Sequence, residues 1–301
     1  MNGIFLHNGN RMPVHPKRKY TINSLERGLK ILFILGQSGE PMRISEISRR
    51  LEIDKSTAYR IVSTLREQGF VEQDPDTRKY LLGVKVIEVG GLKLRAIKFL
   101  PTARPLTEEL MMRTREAVHI AVLVEGEVMY LDTEQCSGSF NVNTVAGGRA
   151  PLHSTAVGKA LLAELPEAEI DRLVSLKGLT RFTDRTIITL EELHRDLTLV
   201  RQRGWAIDNE ETYTAVRCMA SVIRDHQGRA LASAGLSGPA QRISDDRIPT
   251  LAELVKDTCD RISKRMGYVH PATSPLPTPR DQNLSTKTSL QIPAPVLSPQ
   301  R

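Results

Sequence analysis

Two short apolar stripes separated by a tight turn stand out between residues 44 and 69. In ISEISRRL, Ile44, Ile47 and Leu51 recur at helical spacing. In KSTAYRIVSTLREQG, Ala58, Ile61, Val62 and Leu65 fall at i, i+3, i+4 and i+7. The pattern predicts two helices, with Ser45 capping the first, Glu52-Ile53-Asp54 as the turn and Asp54 capping the second. Gly69 is placed as the left-handed residue that ends it. Opposite the second stripe stand Lys55, Ser56, Thr57, Tyr59, Arg60 and Ser63. Short hydroxyls, an aromatic ring and cations at a helix start reach phosphates and base edges. Taken alone, the pair also suits a solvated corner of a helix bundle.

The residues that follow separate these readings. Phe70 to Gln73 is strand-like, Asp74-Pro75-Asp76-Thr77 reads as a turn, and Arg78 to Gly83 returns. A hairpin directly after the second helix predicts a winged helix-turn-helix, with Arg78 and Lys79 at the wing for backbone or minor-groove contact. Upstream, Ser24 is placed to cap a third helix that turns Leu25, Leu29, Leu32 and Phe33 toward the core. From Val84 to Lys98 the apolar positions Val84, Ile87 and Leu94 are partly periodic and Gly90-Gly91 interrupts them. This predicts a linker helix over 84–100 whose apolar positions are candidates for a dimer contact.

Charge sharpens the picture. Residues 1–83 hold 14 Lys and Arg against 9 Asp and Glu, a net of +5. Residues 84–269 hold 25 against 25. The excess therefore sits on the segment read as DNA-binding, where neutralised phosphates release counterions. Aromatics make up 4% with one Trp, too few for single-strand stacking platforms. No apolar run approaches the ~20 residues of a membrane span. The N-terminus lacks the basic-then-apolar order of a signal peptide. Cys136, Cys218 and Cys259 form neither a disulfide framework nor a zinc signature, so a reducing cytoplasm is the expected location.

Beyond Pro101 the pattern mixes helices and strands. It predicts a helix over Pro105 to Arg115, a hairpin of His119 to Val124 with Val128 to Leu131, and a strand at Val142 to Val145. Ser154-Thr155 then opens a small-residue helix from Ala156 to Glu164. Helices follow at Glu167 to Leu176 and at Leu190 to Arg203, the latter with Thr189 and Glu192 as a capping box and Gly204 as its end. A strand at Trp205 to Asp208, a hairpin of Val216 to Arg224 with Arg229 to Leu236, and a helix over Ile248 to Met266 complete the series. The expected class is α+β, a winged helix-turn-helix over 21–83 and a sensor-like domain over 101–269. Residues 1–20, with Lys17-Arg18-Lys19, read as a disordered arm. Residues 270–301 hold 7 of the 17 prolines and read as a disordered tail.

The order of motifs resembles the IclR family of bacterial transcription regulators over roughly residues 20 to 269. The stretches are SLERGLKIL, ISEISRRLEIDKSTAYRIVSTLREQGFV and KYLLG, then GGRAPLHSTAVGKALLA, Thr183 to Leu190, RQRGWAIDNEE, VRCMASVIRD and GLSGP. The resemblance implies a GAF-like effector domain and a dimer, or dimer of dimers, on palindromic duplex operators. It also implies a small-molecule switch, most often a repressor of catabolic genes, without a cofactor or catalytic residues. Carried over by motif, the effector pocket takes Ala150, Ala156, Val157, Asp208, Val216, Cys218, Gly235 and Ser237. Such a pocket suits a small organic acid, its carboxylate at the start of the Ala156 helix. The chain departs from the pattern at three positions. Ala150 stands where a larger apolar residue is frequent, Gly235 where some relatives place a hydroxyl, and Ala215 in place of a common glycine. These imply a roomier or less polar pocket.

Competing chemistry is weighed residue by residue. Nothing beside Cys218 in sequence supplies a base. His119, His153 and Cys218 have no metal-ligand spacing. Ser154-Thr155 lacks a GxSxG context, so helix capping accounts for it. Asp208 to Glu211 lacks the spaced ligands of a calcium loop and reads as a turn with one ligand-facing carboxylate. An acid-processing enzyme held on DNA, and a ligand-independent DNA-binding protein, are the two alternatives.

Overall fold

The computed structural model describes residues 21–135 and 144–269. The arm, the tail, Cys136 and the first half of the strand expected at Val142 to Val145 lie outside them. Thr144 and Val145 are not in a strand.

Helices α1 (Asn23–Ser38), α2 (Ile44–Leu51) and α3 (Lys55–Glu67) precede a two-stranded wing, β1 (Val71–Gln73) and β2 (Tyr80–Leu82). The strands pair antiparallel with Val71 opposite Leu82, and Met42 bridges Tyr80 on the other side. The core is Ile31, Leu35, Met42, Ile47, Val62, Val71 and Tyr80. Both expected stripes of α2 and α3 face it. Asp54 Oδ1 accepts from Thr57 N at 2.8 Å, the expected cap. Gly69, at φ +76°, closes α3, with Gly69 N donating to Arg66 O and Phe70 N to Leu65 O.

Three expectations need correction here. Ser45 does not cap α2. The helix starts two residues earlier, with Arg43 at the cap position, and the Glu46 carboxylate reaches back to accept from Arg43 N at 2.7 Å. Ser24 does not cap α1, because Asn23 is already helical and Ile22 occupies the cap position without a side-chain bond. The core face of α1 is Gly28, Ile31 and Leu35; of the expected four, Leu32 packs against this core, while Leu25, Leu29 and Phe33 are 59%, 50% and 71% exposed. The helix carries two apolar stripes. The buried stripe is the one that meets Ile47, Val62 and Tyr80 in the core.

Helix α4 (Lys85–Arg95) follows, unbroken at Gly90-Gly91 and with no buried residue. The second part opens with α5 (Leu100–Thr114), which starts before Pro105 and runs through it at the cost of one backbone hydrogen bond. Strands β3 (Ala117–Val124), β4 (Glu127–Glu134) and β5 (Arg149–Ala150) precede helices α6 (Ala156–Leu162), α7 (Glu167–Lys177) and α8 (Leu190–Arg203). Strands β6 (Ala206–Asn209), β7 (Val216–Arg224) and β8 (Ala230–Pro239) and helix α9 (Ile248–Arg265) complete the chain. The six strands form one antiparallel sheet in the order β5-β4-β3-β8-β7-β6.

Alternation along each strand divides the core in two. Ile120, Ile223, Ala234 and Leu236 pack with α5 and α9, while Ala121, Ala206, Ala220 and Val222 face α6, α7 and α8. On the α6 side the central strands present Cys218, Ala220, Ser233, Gly235 and Ser237. These small side chains leave space between sheet and helix. No helix among the described residues is long and apolar enough to cross a membrane.

Candidate effector cavity and nucleic-acid interface

That space is a cavity of about 170 Å³ between the sheet and the start of α6. Seven of the eight residues carried over by motif line it: Ala150, Ala156, Val157, Asp208, Cys218, Gly235 and Ser237. Val216 does not. It is buried beyond the cavity, opposite Pro239 at the end of the sheet. The register brings Asp208, Cys218 and Ser237 into one row across β6, β7 and β8. Gly235 allows no larger residue in this backbone geometry, since a Cβ there would meet Met219 O at 2.2 Å. Steric exclusion thus accounts for the missing hydroxyl. Ala215 takes the left-handed φ of +60° that favours glycine, which explains the glycine common at this position.

Sequence reasoning missed several of the polar groups. His119 Nε2 lies 2.6 Å from Ser237 Oγ, and its Nδ1 lies 3.0 Å from Thr144 Oγ1 and 3.3 Å from Thr133 Oγ1. Burial lowers the imidazole to about 4, so it stays neutral near pH 7. Tyr130, Thr212 and Tyr213 also line the cavity, and burial raises the Tyr130 phenol and the Cys218 thiol. Cys218 is therefore a protonated thiol and a poor nucleophile. Asp208 Oδ1 accepts from Glu211 N at 2.7 Å and from Thr212 N at 3.3 Å. Burial nonetheless lifts this carboxyl to about 6.

Beneath the cavity lies a buried ion cluster. Lys159 of α6, 1% exposed, places Nζ 2.6 Å from Glu211 Oε1 and 2.9 Å from Asp196 Oδ2 of α8. Burial pushes Glu211 up to about 7 against the pull of Lys159. A lysine inside the otherwise apolar run AVGKALLA was the one sequence signal for it. The loop after β6 is braced further by Thr186 Oγ1, which donates to Glu211 O at 2.6 Å, and by Thr183 Oγ1, which donates to Glu210 O at 2.7 Å. Thr155 Oγ1 caps α6 by accepting from Gly158 N, so a cap rather than a nucleophile is what this residue supplies. His153 belongs to a different cavity and stacks on Phe182. Among the described residues no His, Cys, Asp and Glu cluster is built for a metal ion.

In the winged part, Lys55, Ser56, Tyr59 and Arg60 are exposed on α3, with Thr57 and Ser63 half-buried beside them. Ser56 Oγ donates to Asp54 Oδ1 at 2.5 Å, which leaves its lone pairs as the groups it offers outward. Arg78 is exposed in the wing turn at φ +58°, and Lys79 beside it is half-buried. Asp74 Oδ1 holds that turn by accepting from Asp76 N and from the N and Oγ1 of Thr77. Arg66 Nη1 donates to Gln73 Oε1, and Gln73 Nε2 donates to Arg78 O. This chain of contacts fixes the wing relative to α3.

Comparison with known proteins agrees with this arrangement. Residues 24–75 match the IclR helix-turn-helix domain, and residues 93–264 match the bacterial transcriptional regulator IclR C-terminal domain. The chain is 34% identical to the HTH-type transcriptional repressor AllR of Escherichia coli K12 over 249 residues, covering 82% of this chain and 92% of that protein. It is similarly 34% identical to AllR of Salmonella typhimurium over 256 residues, 85% and 94% of the two chains. The crystal structure of Thermotoga maritima IclR superposes with a TM-score of 0.70 at 31% identity, over 82% of this chain and 100% of that one. An IclR homolog from Microbacterium hydrocarbonoxydans complexed with 4-hydroxybenzoate gives a TM-score of 0.72 at 26% identity, over 81% and 98%. These relatives are regulators, and the alternative of an acid-processing enzyme falls with them. With a helix-turn-helix reader at one end and a small-molecule-binding domain at the other, the chain belongs to the IclR family of bacterial transcriptional regulators.

Proposed function

We propose that this regulator is a repressor that acts in the cytoplasm as a homodimer or dimer of dimers on palindromic duplex operator DNA, and that a small organic acid controls it. Catabolic genes are its expected targets. The observation that carries the DNA reading is the exposed polar face of α3, presented opposite its buried stripe and braced to the wing. Tyr59, Arg60, Lys55, Ser56, Thr57 and Ser63 read the major groove, and Arg78 and Lys79 contact the backbone or minor groove. The parts divide into a reader over 21–83, a linker helix over 84–100 and an effector domain over 101–269. The AllR relatives are named repressors, which supports the sign.

Exposed apolar surface supports the oligomer. Leu25, Leu29 and Phe33 of α1, together with Val84, Ile87 and Leu92 at α4, are exposed and join no core cluster among the described residues. A second copy would bury them and set two readers on two half-sites one helical turn apart. Leu29→Glu with Ile87→Glu is expected to give monomers in sedimentation velocity and at least a tenfold weaker hold on a palindromic operator. Retained dimers with unchanged affinity would place the interface elsewhere.

The relative bound to 4-hydroxybenzoate supports an acid as ligand class. In the cavity an anion meets Asp208, which below about pH 6 is a neutral donor rather than a repelling carboxylate. Acid binding is therefore expected to tighten as pH falls from 7.5 to 5.5, and Asp208→Asn to remove that dependence. Calorimetric titration at the two pH values checks it, and equal slopes in wild type and variant would take Asp208 out of ligand contact.

A further inference from the structure

The effector cavity has a neighbour. A second cavity of about 330 Å³ lies against it, walled by Leu162, Leu173, Val174 and Leu179. Arg149, Ala150, Pro151 and Phe182 belong to both linings, so the two spaces share one wall. The inner cavity alone, at about 170 Å³, falls below the roughly 300–1,000 Å³ usual for small-molecule sites, whereas both together fall inside it. At Ala150 only a methyl group stands between the backbone and each of the two spaces it lines. Phe182 N is held by Thr186 Oγ1 at 3.0 Å, while its side chain is 45% exposed.

The outer cavity suits a flat apolar body. His153 and Phe182 stack with centroids 6.0 Å apart and planes 27° from parallel. His153 Nε2 lies 3.0 Å from Thr180 O, a pure acceptor, so this nitrogen carries the proton and Nδ1 is left as an acceptor. The charged groups Arg149, Lys177 and Glu127 sit at the rim and pair with one another. No charge is buried in its wall.

Resting on the acid-effector reading above, we infer that the effector is a two-part molecule, with a polar acid head in the inner cavity and an aromatic tail that passes Ala150 into the outer one. Ala150 and Val174 then set the length of ligand accepted.

The test is calorimetric titration of the full-length protein with pyruvate and with phenylpyruvate, the same 2-oxo acid head without and with a phenyl tail. The wild type is expected to bind phenylpyruvate at least tenfold more tightly. Val174→Trp, which fills the outer cavity alone, is expected to lose that advantage while pyruvate stays within twofold, and Ala150→Leu, which thickens the shared wall, to weaken phenylpyruvate more than pyruvate. Unchanged operator affinity without ligand shows that each variant is folded. Equal affinities in the wild type, or variants that weaken both acids alike, overturn the tail. Binding of neither acid by a protein that still binds operator DNA removes the acid head itself, and the tail with it.

Discussion

Lys159→Met is expected to cost the effector domain about 3–5 kcal/mol of stability, the usual range when one partner of a buried ion pair is removed. The cation is 1% exposed and lies within hydrogen-bond reach of Glu211, with Asp196 2.9 Å away. Methionine fills much of the volume but leaves two carboxylates facing an apolar chain. Glu211, already lifted to about 7 by burial, would then take up a proton to avoid an uncompensated charge. The sign of the pH effect follows. The variant's folded state holds that proton to higher pH than its unfolded state does, so the variant loses further stability as pH rises from about 5 to 8. Urea denaturation at pH 5.5 and 8 reads both effects. A loss below about 1 kcal/mol, independent of pH, would mean that the cluster relaxes without its cation. The same variant tests the cavity, because Lys159 ties the helix whose start lines it to Glu211, whose N–H donates to Asp208 Oδ1.

Arg60→Ala is expected to weaken operator binding by about 1–3 kcal/mol, or roughly 5- to 150-fold, while leaving stability unchanged. Arg60 stands exposed on α3 beside Tyr59, away from the buried Ala58 and Val62. In the proposed reading the guanidinium meets the O6 and N7 acceptors of a guanine edge as a planar fork, a shape that lysine lacks. Arg60→Lys is therefore expected to recover little of the specific affinity. Competition against random duplex at one salt concentration separates the roles. Equal losses on operator and random DNA would make Arg60 a phosphate contact and move base reading to Tyr59 and its neighbours.

The parts of this molecule that were legible in sequence are those decided locally. Asp54 caps α3 and Gly69 ends it because short-range chemistry leaves one good solution at each place. Thr189 caps α8 and Gly204, at φ +80°, closes it for the same reason. The α1 face was misread because helical periodicity reports that a stripe is apolar, not which of two stripes meets a partner. That depended on Ile31 and Leu35 packing with Ile47, Val62 and Tyr80, residues distant in sequence. The cavity is a product of register. Motifs located Asp208, Cys218 and Ser237, but only pairing across three strands puts them in one row and leaves Val216 outside it. His119 and Tyr130 come from a hairpin that carries no motif. Lys159 hid inside a matched motif, where a charge in an apolar helix reads as solvent-facing until α8 and the β6–β7 loop are seen to cover it. The shared wall of the two cavities had a trace in sequence, the small residue at Ala150, though not its consequence.

The central claim is that ligand occupancy of the second domain changes how the first holds DNA. Fluorescence anisotropy on duplex DNA from upstream of the protein's own gene, titrated with and without small organic and aromatic acids at fixed moderate salt, tests it directly. At least one acid is expected to shift operator affinity by roughly 5- to 150-fold, the range of ordinary coupling between sites, and Asp208→Asn or Ala150→Leu to alter the response without altering binding in the absence of acid. An acid that binds the protein by calorimetry yet leaves operator affinity unchanged would contradict it, and would leave the second domain as a scaffold for dimerisation alone.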